Sequence, residues 1–246
     1  MDLQTIDINV DMGEGLENEA LIMPFIASCN IACGGHAGTE ESMRKVVGLA
    51  QRHRVKIGAH PSFPDKENFG RQAMDISYSA LFYALKHQLD DFMDVLEETH
   101  ARLHHIKPHG ALYNLAAVDE NIANVIIELV QSIALPMKLY VPYKSVIADL
   151  ARKQKIPISF EAFADRNYHD DLTLVSRSEP NALITDNHAV FEHIQNMVLH
   201  HQVVTVSGHQ IPIEADTFCV HGDHPNAPDL IKYLHEKLTR LGYKIR

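Results

Sequence analysis

Short segments of β-prone residues alternate with longer amphipathic segments along the chain, and this alternation most limits its possible folds. The sequence predicts seven strands, at residues 5–10, 28–32, 55–59, 103–106, 137–141, 157–162 and 217–220. It predicts helices at residues 40–53, 79–103, 122–130, 145–153, 187–200 and 229–241, where apolar residues recur at helical spacing. Strands that alternate with helices indicate a parallel sheet built from βαβ units.

Polar residues lie just after the predicted strands, at the carboxyl end of each. A parallel barrel brings all of these loops to one face, and that face holds the active site of such barrels. An open, doubly wound sheet would gather ligands at its switch point instead. A barrel explains better why so many separate strands carry polar groups. We therefore predict a single (β/α) barrel domain over residues 1–246.

The first strand ends in polar residues. Asn9 and Asp11 alternate, so their side chains point to the same side of the strand, and Glu14 follows on a turn flanked by glycines. The simpler interpretation is a turn capped by carboxylates. We favour a functional role, because Asn and Asp at the end of a strand cost stability unless something uses them.

Three histidines, His36, His60 and His109, occupy equivalent positions after nearby strands. His36 lies in a glycine-rich turn that lacks the lysine of a phosphate-binding loop and the glycine spacing of a dinucleotide-binding motif. We expect the three to act as acid/base groups or to ligate a metal. Lys107 alternates with His109 around Pro108, so both project the same way. A lysine there is suited to polarise a carbonyl or to hold a carboxylate or phosphate.

Two later strand ends complete the pattern. Asp165 and Arg166 predict an ion pair or an anion clamp, since the guanidinium fork favours carboxylate and phosphate. His221 and Asp223 follow the last strand. This mixture of ionisable groups suits hydrolytic or amide chemistry on a small, polar, anionic substrate. The histidines expected on the solvated surface are His104, His105, His200, His201 and His235.

Composition excludes several classes of protein. The chain has 246 residues, of which 46% are hydrophobic, and this suits one domain with a large core. A formal net charge of −10 without a basic block argues against binding nucleic acid. We expect a cytoplasmic protein, because no apolar run approaches a membrane span and no export signal is evident. Cys29, Cys33 and Cys219 are expected to be reduced thiols.

Seven motifs stand out across nearly the whole chain. They are NVDMGEG at 9–15, NIACGGHAG at 30–38, IGAHPSFPD at 57–65, NFGR at 68–71, KPHGALYN at 107–114, FADR at 163–166 and CVHGD at 219–223. Taken together and in this order, they resemble the motifs of the LamB/YcsF family of 5-oxoprolinase A subunits.

The resemblance implies a (β/α)7 barrel of the glycoside hydrolase/deacetylase type. It implies ATP-dependent hydrolysis of the lactam of 5-oxoproline (pyroglutamate) to L-glutamate, with ATP converted to ADP and phosphate. It also implies two companion proteins, the 5-oxoprolinase subunits B and C. No nucleotide-binding motif is evident in this chain, so the sequence does not locate ATP.

Candidate roles follow from the resemblance and from the residue types. Arg166 or Lys107 would hold the carboxylate or phosphate of the substrate. Water activation would fall to Asp11, Glu14 or one of the three histidines. The other candidate substrate-binding residues are Asn9, Arg71, Asn114, Asp165, His221 and Asp223.

Two other functions remain open at this stage. Related barrels hold a divalent ion with one Asp and two His, and Asp11, His60 and His109 are candidates for such a set in a metal-dependent deacetylase or amidohydrolase. The second alternative is a non-catalytic barrel that binds a small ligand. The density of ionisable groups argues against that alternative.

Overall fold

The computed structural model describes residues 4–246 as alternating strands and helices. The strands are β1 (Thr5–Met12), β2 (Ser28–Ala32), β3 (Lys56–His60), β4 (Leu103–Ile106), β5 (Lys138–Pro142), β6 (Ile158–Phe163), β7 (Gln202–Val204), β8 (Gln210–Pro212), β9 (Thr217–Val220) and β10 (Lys244–Ile245). The helices are α1 (Glu19–Ile22), α2 (Glu40–His53), α3 (Tyr78–Glu98), α4 (Gly110–Ala116), α5 (Glu120–Gln131), α6 (Val146–Lys153), α7 (Asn187–His200) and α8 (Ala227–Arg240). A single 3-10 turn, Met23–Phe25, follows α1.

Seven parallel strands close into a barrel. The strands β1 to β6 pair in chain order, and β9 pairs with both β6 and β1. Asn9 in β1 lies opposite Ser28 on one side and opposite Cys219 on the other, which closes the ring. The predicted (β/α)7 barrel is therefore confirmed.

Side-chain caps define where several of the outer helices begin. The Thr39 hydroxyl accepts from the Ser42 amide at the start of α2, and Asp119 and Asp186 cap α5 and α7 in the same way. Such caps satisfy backbone amides that have no partner within the helix. The predicted limits of the helices at 40–53 and 187–200 agree with the structure.

Other predicted boundaries were wrong. The first strand continues through Asp11 to Met12, so Asp11 is part of the sheet and not of a loop. The helix predicted to reach residue 103 ends at Glu98, and β4 begins only at Leu103. An additional helix, α4, begins directly after His109. The short elements α1, β7, β8 and β10 were also missed, because segments of two to four residues carry no readable period.

The barrel interior is polar along much of its length. The Asp7 carboxylate accepts hydrogen bonds from Ser28 (2.6 Å) and Thr217 (2.8 Å) near the amino ends of the strands. One layer higher, the Asn30 amide donates to Asn9 Oδ1 at 2.7 Å. His105 Nε2 lies 2.7 Å from Asn30 Oδ1. The prediction that His105 is a surface residue was wrong, since it is fully buried in the barrel.

The apolar core lies between the barrel and the surrounding helices. Ile8, Val10 and Ile31 alternate with the inward polar residues and are fully buried. Leu85 and Phe92 of α3 belong to the same cluster. All three cysteines are free and buried, as expected for reduced thiols. Within residues 4–246, no helix combines the length and apolar character needed to cross a bilayer.

Gly58 in β3 tests how tightly this interior is packed. A Cβ at this position would lie 2.1 Å from His105 Nε2. We expect Gly58→Ala to lower the free energy of unfolding by about 1–3 kcal/mol, because the buried imidazole must move. Urea unfolding measures this change. Gly48→Ala in α2 is the control, since its Cβ would meet the flexible end of Arg52 at 3.9 Å, and stability should be kept or raised. Equal stability of Gly58→Ala and the wild type would show that the interior around His105 is not tightly packed.

Candidate active site

The carboxyl ends of the strands bring ionisable side chains together at one mouth of the barrel. Asp11 comes from β1, His60 from β3, Lys107 from the residue after β4, Glu161 from β6 and Cys219 from β9. Each is at least nine-tenths buried. The predicted common face of the barrel therefore exists, and it is built mainly from strand residues.

Lys107 is the centre of this group. Its ammonium nitrogen lies 2.9 Å from Asp11 Oδ1, 3.0 Å from Glu161 Oε1 and 3.0 Å from Cys219 Sγ. Burial alone would lower the pKa of Lys107, but Asp11 and the other acidic neighbours raise it well above its usual value. Burial opposes the charge of Asp11 too, yet His60 and Lys107 hold the pKa of this carboxyl well below its usual value. The pair is therefore ionised.

Glu14 and three histidines form a second cluster beside this pair. His36 Nε2 lies 3.0 Å from Glu14 Oε1, and His109 Nδ1 lies 3.6 Å from the same oxygen. His109 Nδ1 also lies 2.9 Å from His60 Nε2. The rings of His36 and His109 stack with centroids 3.7 Å apart. One nitrogen or oxygen from each of the four residues lies within 4.8 Å of all the others, so the set is compact enough to hold a metal ion.

Burial shifts the proton affinities of this cluster. Burial, and then the charge of Asp11, raise the pKa of Glu14 to about 7. Burial lowers the pKa of His36 to about 4. It also lowers the pKa of His109 well below its usual value, with help from the two neighbouring histidines. The imidazole rings of His36 and His109 are therefore neutral at neutral pH.

A charged rim lies further out. Asp223 receives hydrogen bonds from Arg71 and from Arg177, whose Nη1 is 3.0 Å from Asp223 Oδ2. The Arg71 guanidinium carbon lies 4.8 Å from the centre of the Phe69 ring. Two guanidinium groups thus share one carboxylate, which leaves a local excess of positive charge. His221 lies beside this rim and is held by Asp165 through Nδ1, at 2.9 Å.

Two predicted site residues have other surroundings. The Arg166 guanidinium donates to the backbone carbonyls of Ala182 and Val175, so it fastens the loop after β6 and does not form the predicted ion pair with Asp165. Asn114 was placed in a loop, but it lies within α4 and its side chain is exposed. The structure therefore does not bring Asn114 into the buried clusters.

The other candidates come together at the mouth. Asn9 lies below the Lys107 group and donates to Glu161 Oε1 at 2.9 Å. The candidates that share this end of the barrel are Asp11, Glu14, His36, His60, Arg71, Lys107, His109, Asp165, His221 and Asp223.

Four residues that contribute to the mouth were not predicted from the sequence: Asn30, Glu161, Arg177 and Cys219. Glu161 was overlooked because it lies inside a predicted strand and not after one. A carboxylate within an otherwise apolar strand was the available signal, since burying such a group requires a partner. Arg177 lies in the irregular segment between β6 and α7, where no periodic pattern indicates its direction.

Removal of Lys107 tests the buried ion pair. We expect Lys107→Met to lower the free energy of unfolding by about 3–5 kcal/mol, because Asp11 and Glu161 would remain buried without a cation. The control is Lys86→Met, which removes a partly exposed lysine paired with the exposed Asp90 one helical turn away and should cost less than about 1 kcal/mol. Urea unfolding compares the two. Similar losses would show that the buried cation is not needed.

Known proteins resemble this chain along nearly its whole length. A model of the LamB/YcsF family matches residues 6–246. The 5-oxoprolinase A subunit of Haemophilus influenzae (strain PittEE) is 38% identical over 243 residues, which cover 99% of both chains. The 5-oxoprolinase A subunit of Staphylococcus haemolyticus (strain JCSC1435) is 38% identical over 246 residues and 98% of both chains.

A solved structure agrees with these relatives. The crystal structure of a lactam utilization protein from Thermus thermophilus matches with a TM-score of 0.91 and 34% identity, over 99% of both chains. The resemblance that the motifs indicated is confirmed by both kinds of comparison. The chain belongs to the LamB/YcsF family.

Proposed function

We propose that this chain is the A component of a 5-oxoprolinase, a hydrolase that opens the lactam ring of 5-oxoproline to give L-glutamate. The supporting observation is 38% identity, over 98% or more of the chain, to two relatives named as A subunits of 5-oxoprolinase. The polar mouth of the barrel is the proposed place of the reaction. A single domain over residues 1–246 and a cytoplasmic location remain part of this proposal.

Arg71 and Arg177 are suited to bind the carboxylate of 5-oxoproline. They share Asp223, so their donors are not all occupied and their charge is only partly balanced. A guanidinium binds a carboxylate through two parallel hydrogen bonds. Their place at the rim would leave the lactam amide pointing towards the buried clusters. This assignment replaces Arg166, whose donors fasten a loop.

In this proposal Lys107 keeps the neighbouring carboxylates ionised and does not bind the substrate. Its ammonium group is surrounded by Asp11, Glu161 and Cys219, and it has only three donors. It keeps Asp11 ionised, and Asp11 Oδ2 in turn lies 3.4 Å from His60 Nε2. The buried ion pair therefore orients the histidine cluster.

Glu14 and the three histidines are suited to handle the attacking water. Glu14 lies within 3.6 Å of two of the imidazole rings, and its pKa of about 7 lets it take up or release a proton near neutral pH. A water molecule that attacks a carbonyl must lose a proton, and a neighbouring neutral histidine can accept or relay it.

ATP supplies the driving force in this proposal. The phosphoryl group of ATP moves to the lactam carbonyl oxygen and ADP is released. A first water adds to the same carbon, and the C–N bond breaks as the ring nitrogen takes up a proton, which leaves an acyl phosphate. A second water hydrolyses the acyl phosphate to the carboxylate and phosphate. The products are L-glutamate, ADP and phosphate. The glycine-rich turn at 34–38 lacks the lysine of a phosphate-binding loop, so we assign the nucleotide to companion subunits B and C.

A metal-dependent amidohydrolase or deacetylase is the second candidate, and the cluster of Glu14 and three histidines favours it. The decisive experiment combines the purified chain with subunits B and C and measures glutamate from 5-oxoproline with and without ATP. Our proposal predicts glutamate only with ATP and all three proteins. ATP-independent release of product by this chain alone would favour the second candidate.

Replacement of Glu14 tests its role in the reaction. We expect Glu14→Gln to lower kcat of the reconstituted enzyme by about 100-fold or more, as is usual when a proton-transfer group is removed. The amide has nearly the same shape, so assembly should be unaffected. Glu98→Gln removes an exposed carboxylate that binds Arg44, and this control should retain full activity. Wild-type kcat in Glu14→Gln would exclude Glu14 from the chemistry.

Replacement of the rim arginines tests substrate binding. We expect Arg71→Ala and Arg177→Ala each to raise KM for 5-oxoproline by about tenfold with little change in kcat, because each removes a charge-assisted hydrogen bond worth about 1.5–3 kcal/mol. Arg44→Ala, which loses only exposed ion pairs with Glu40 and Glu98, is the control. An unchanged KM in both rim variants would place the carboxylate elsewhere.

A further inference from the structure

The tautomers of two histidines at the mouth are fixed by backbone carbonyls. His60 Nδ1 lies 2.7 Å from the carbonyl oxygen of Lys107. His109 Nε2 lies 3.0 Å from the carbonyl oxygen of Phe69. A carbonyl oxygen can only accept a hydrogen bond, so each of these ring nitrogens carries the proton. When a ring is neutral, its opposite nitrogen therefore holds a lone pair.

Those two lone pairs face each other. His60 Nε2 and His109 Nδ1 are 2.9 Å apart in a site where both residues are buried. Two acceptors at this distance repel each other unless a positive charge lies between or beside them. A proton shared by the two rings would satisfy this pair alone.

Two further atoms that could bind a positive ion, one from Glu14 and one from His36, lie near the same point. Glu14 Oε1 lies 3.6 Å from His109 Nδ1 and 3.0 Å from His36 Nε2. His36 Nε2 can donate a hydrogen bond to Glu14 Oε1, and in that tautomer the buried Nδ1 has no partner within residues 4–246. A metal ion bound by Glu14 would displace this proton and so free the Nε2 lone pair. One carboxylate oxygen and three imidazole nitrogens therefore converge within 4.8 Å of one another.

We propose that Glu14, His36, His60 and His109 bind one divalent transition-metal ion, of the zinc class. Three imidazoles and one carboxylate are ligands that zinc prefers. Zinc–nitrogen bonds of about 2.0–2.1 Å place tetrahedral ligands roughly 3.3 Å apart. Three of the six separations, at 2.9, 3.0 and 3.6 Å, bracket that value, and all six lie within 4.8 Å. The carbonyls of Lys107 and Phe69 orient the ligating rings, as outer partners of metal-bound histidines usually do.

This set differs from the one predicted from sequence. Asp11 Oδ1 is occupied by Lys107 at 2.9 Å and by Asn30 at 2.7 Å, and its Oδ2 lies near His60 alone, at 3.4 Å. Glu14 Oε1 lies within 3.6 Å of both His36 and His109, so Glu14 is the carboxylate that we place in the set. His36 joins as a ligand that the Asp–His–His set did not include. A divalent ion here would supply Lewis-acid polarisation of a carbonyl or of a water molecule, and Glu14 would then serve as its ligand in place of the proton-transfer role given above.

The test uses the full chain after dialysis against a chelator. Titration with CoCl2, followed by visible absorption, and with ZnCl2, followed by calorimetry, should give one equivalent of ion per chain. His60→Gln and His109→Gln should each weaken binding by at least about tenfold. The matched control is His235→Gln, which removes a histidine bonded to the Phe25 carbonyl outside the cluster and should bind as the wild type does. Circular dichroism confirms that each variant is folded.

Two results would overturn the proposal. One is binding by the wild type that is no tighter than binding by the His60→Gln/His109→Gln double variant. The other is an imidazolium signal in nitrogen NMR of the metal-free protein that persists unchanged when metal is added. That signal would show that a proton, and not a metal ion, lies between His60 and His109. Neither result depends on the glutamate assay, so the metal site and the proposed lactam hydrolysis can fail separately.

Discussion

The buried ammonium group of Lys107 is the interaction on which the mouth of the barrel depends. It balances Asp11 and Glu161 in a place where water does not reach, since it is only 2% exposed. An uncompensated charge in such a site is unfavourable by several kcal/mol, so the two carboxylates and the lysine can be buried only together. The strands β1, β4 and β6, which are not sequence neighbours, are thereby tied to one another by charge.

This charge network is continuous with the polar interior below it. Asn9 connects the two, because its amide donates to Glu161 Oε1 and its oxygen accepts from Asn30. A buried network of this kind favours one arrangement of strands, since a shifted register would leave more buried groups without partners. Apolar packing is displaced to the space between strands and helices. The outward faces of the strands thus carry the apolar packing that stabilises the fold, and the inward faces carry the polar residues of the site.

The sequence predicted the barrel and most of the mouth for one physical reason. Strands and helices have regular periods, and parallel strands bring their carboxyl ends together, so Asp11, His60 and Lys107 could be placed without a structure. Contacts made by residues outside the regular strands and helices could not be predicted, because no repeating pattern indicates where those side chains point. Arg166 was misjudged because its donors serve loop carbonyls, and Asn114 because α4 starts immediately after His109. Arg177 reaches the rim from an irregular segment.

The segment 69–71 joins the two halves of the site. The Phe69 carbonyl fixes the tautomer of His109, and two residues later Arg71 reaches Asp223. Gly70 between them has a φ of 62° and lies so near the cluster that a Cβ would meet His36 Cβ at 3.0 Å. The rim arginine and the carbonyl that orients His109 therefore lie on one three-residue segment, so the geometry of the rim and that of the histidine cluster depend on the same short stretch of backbone.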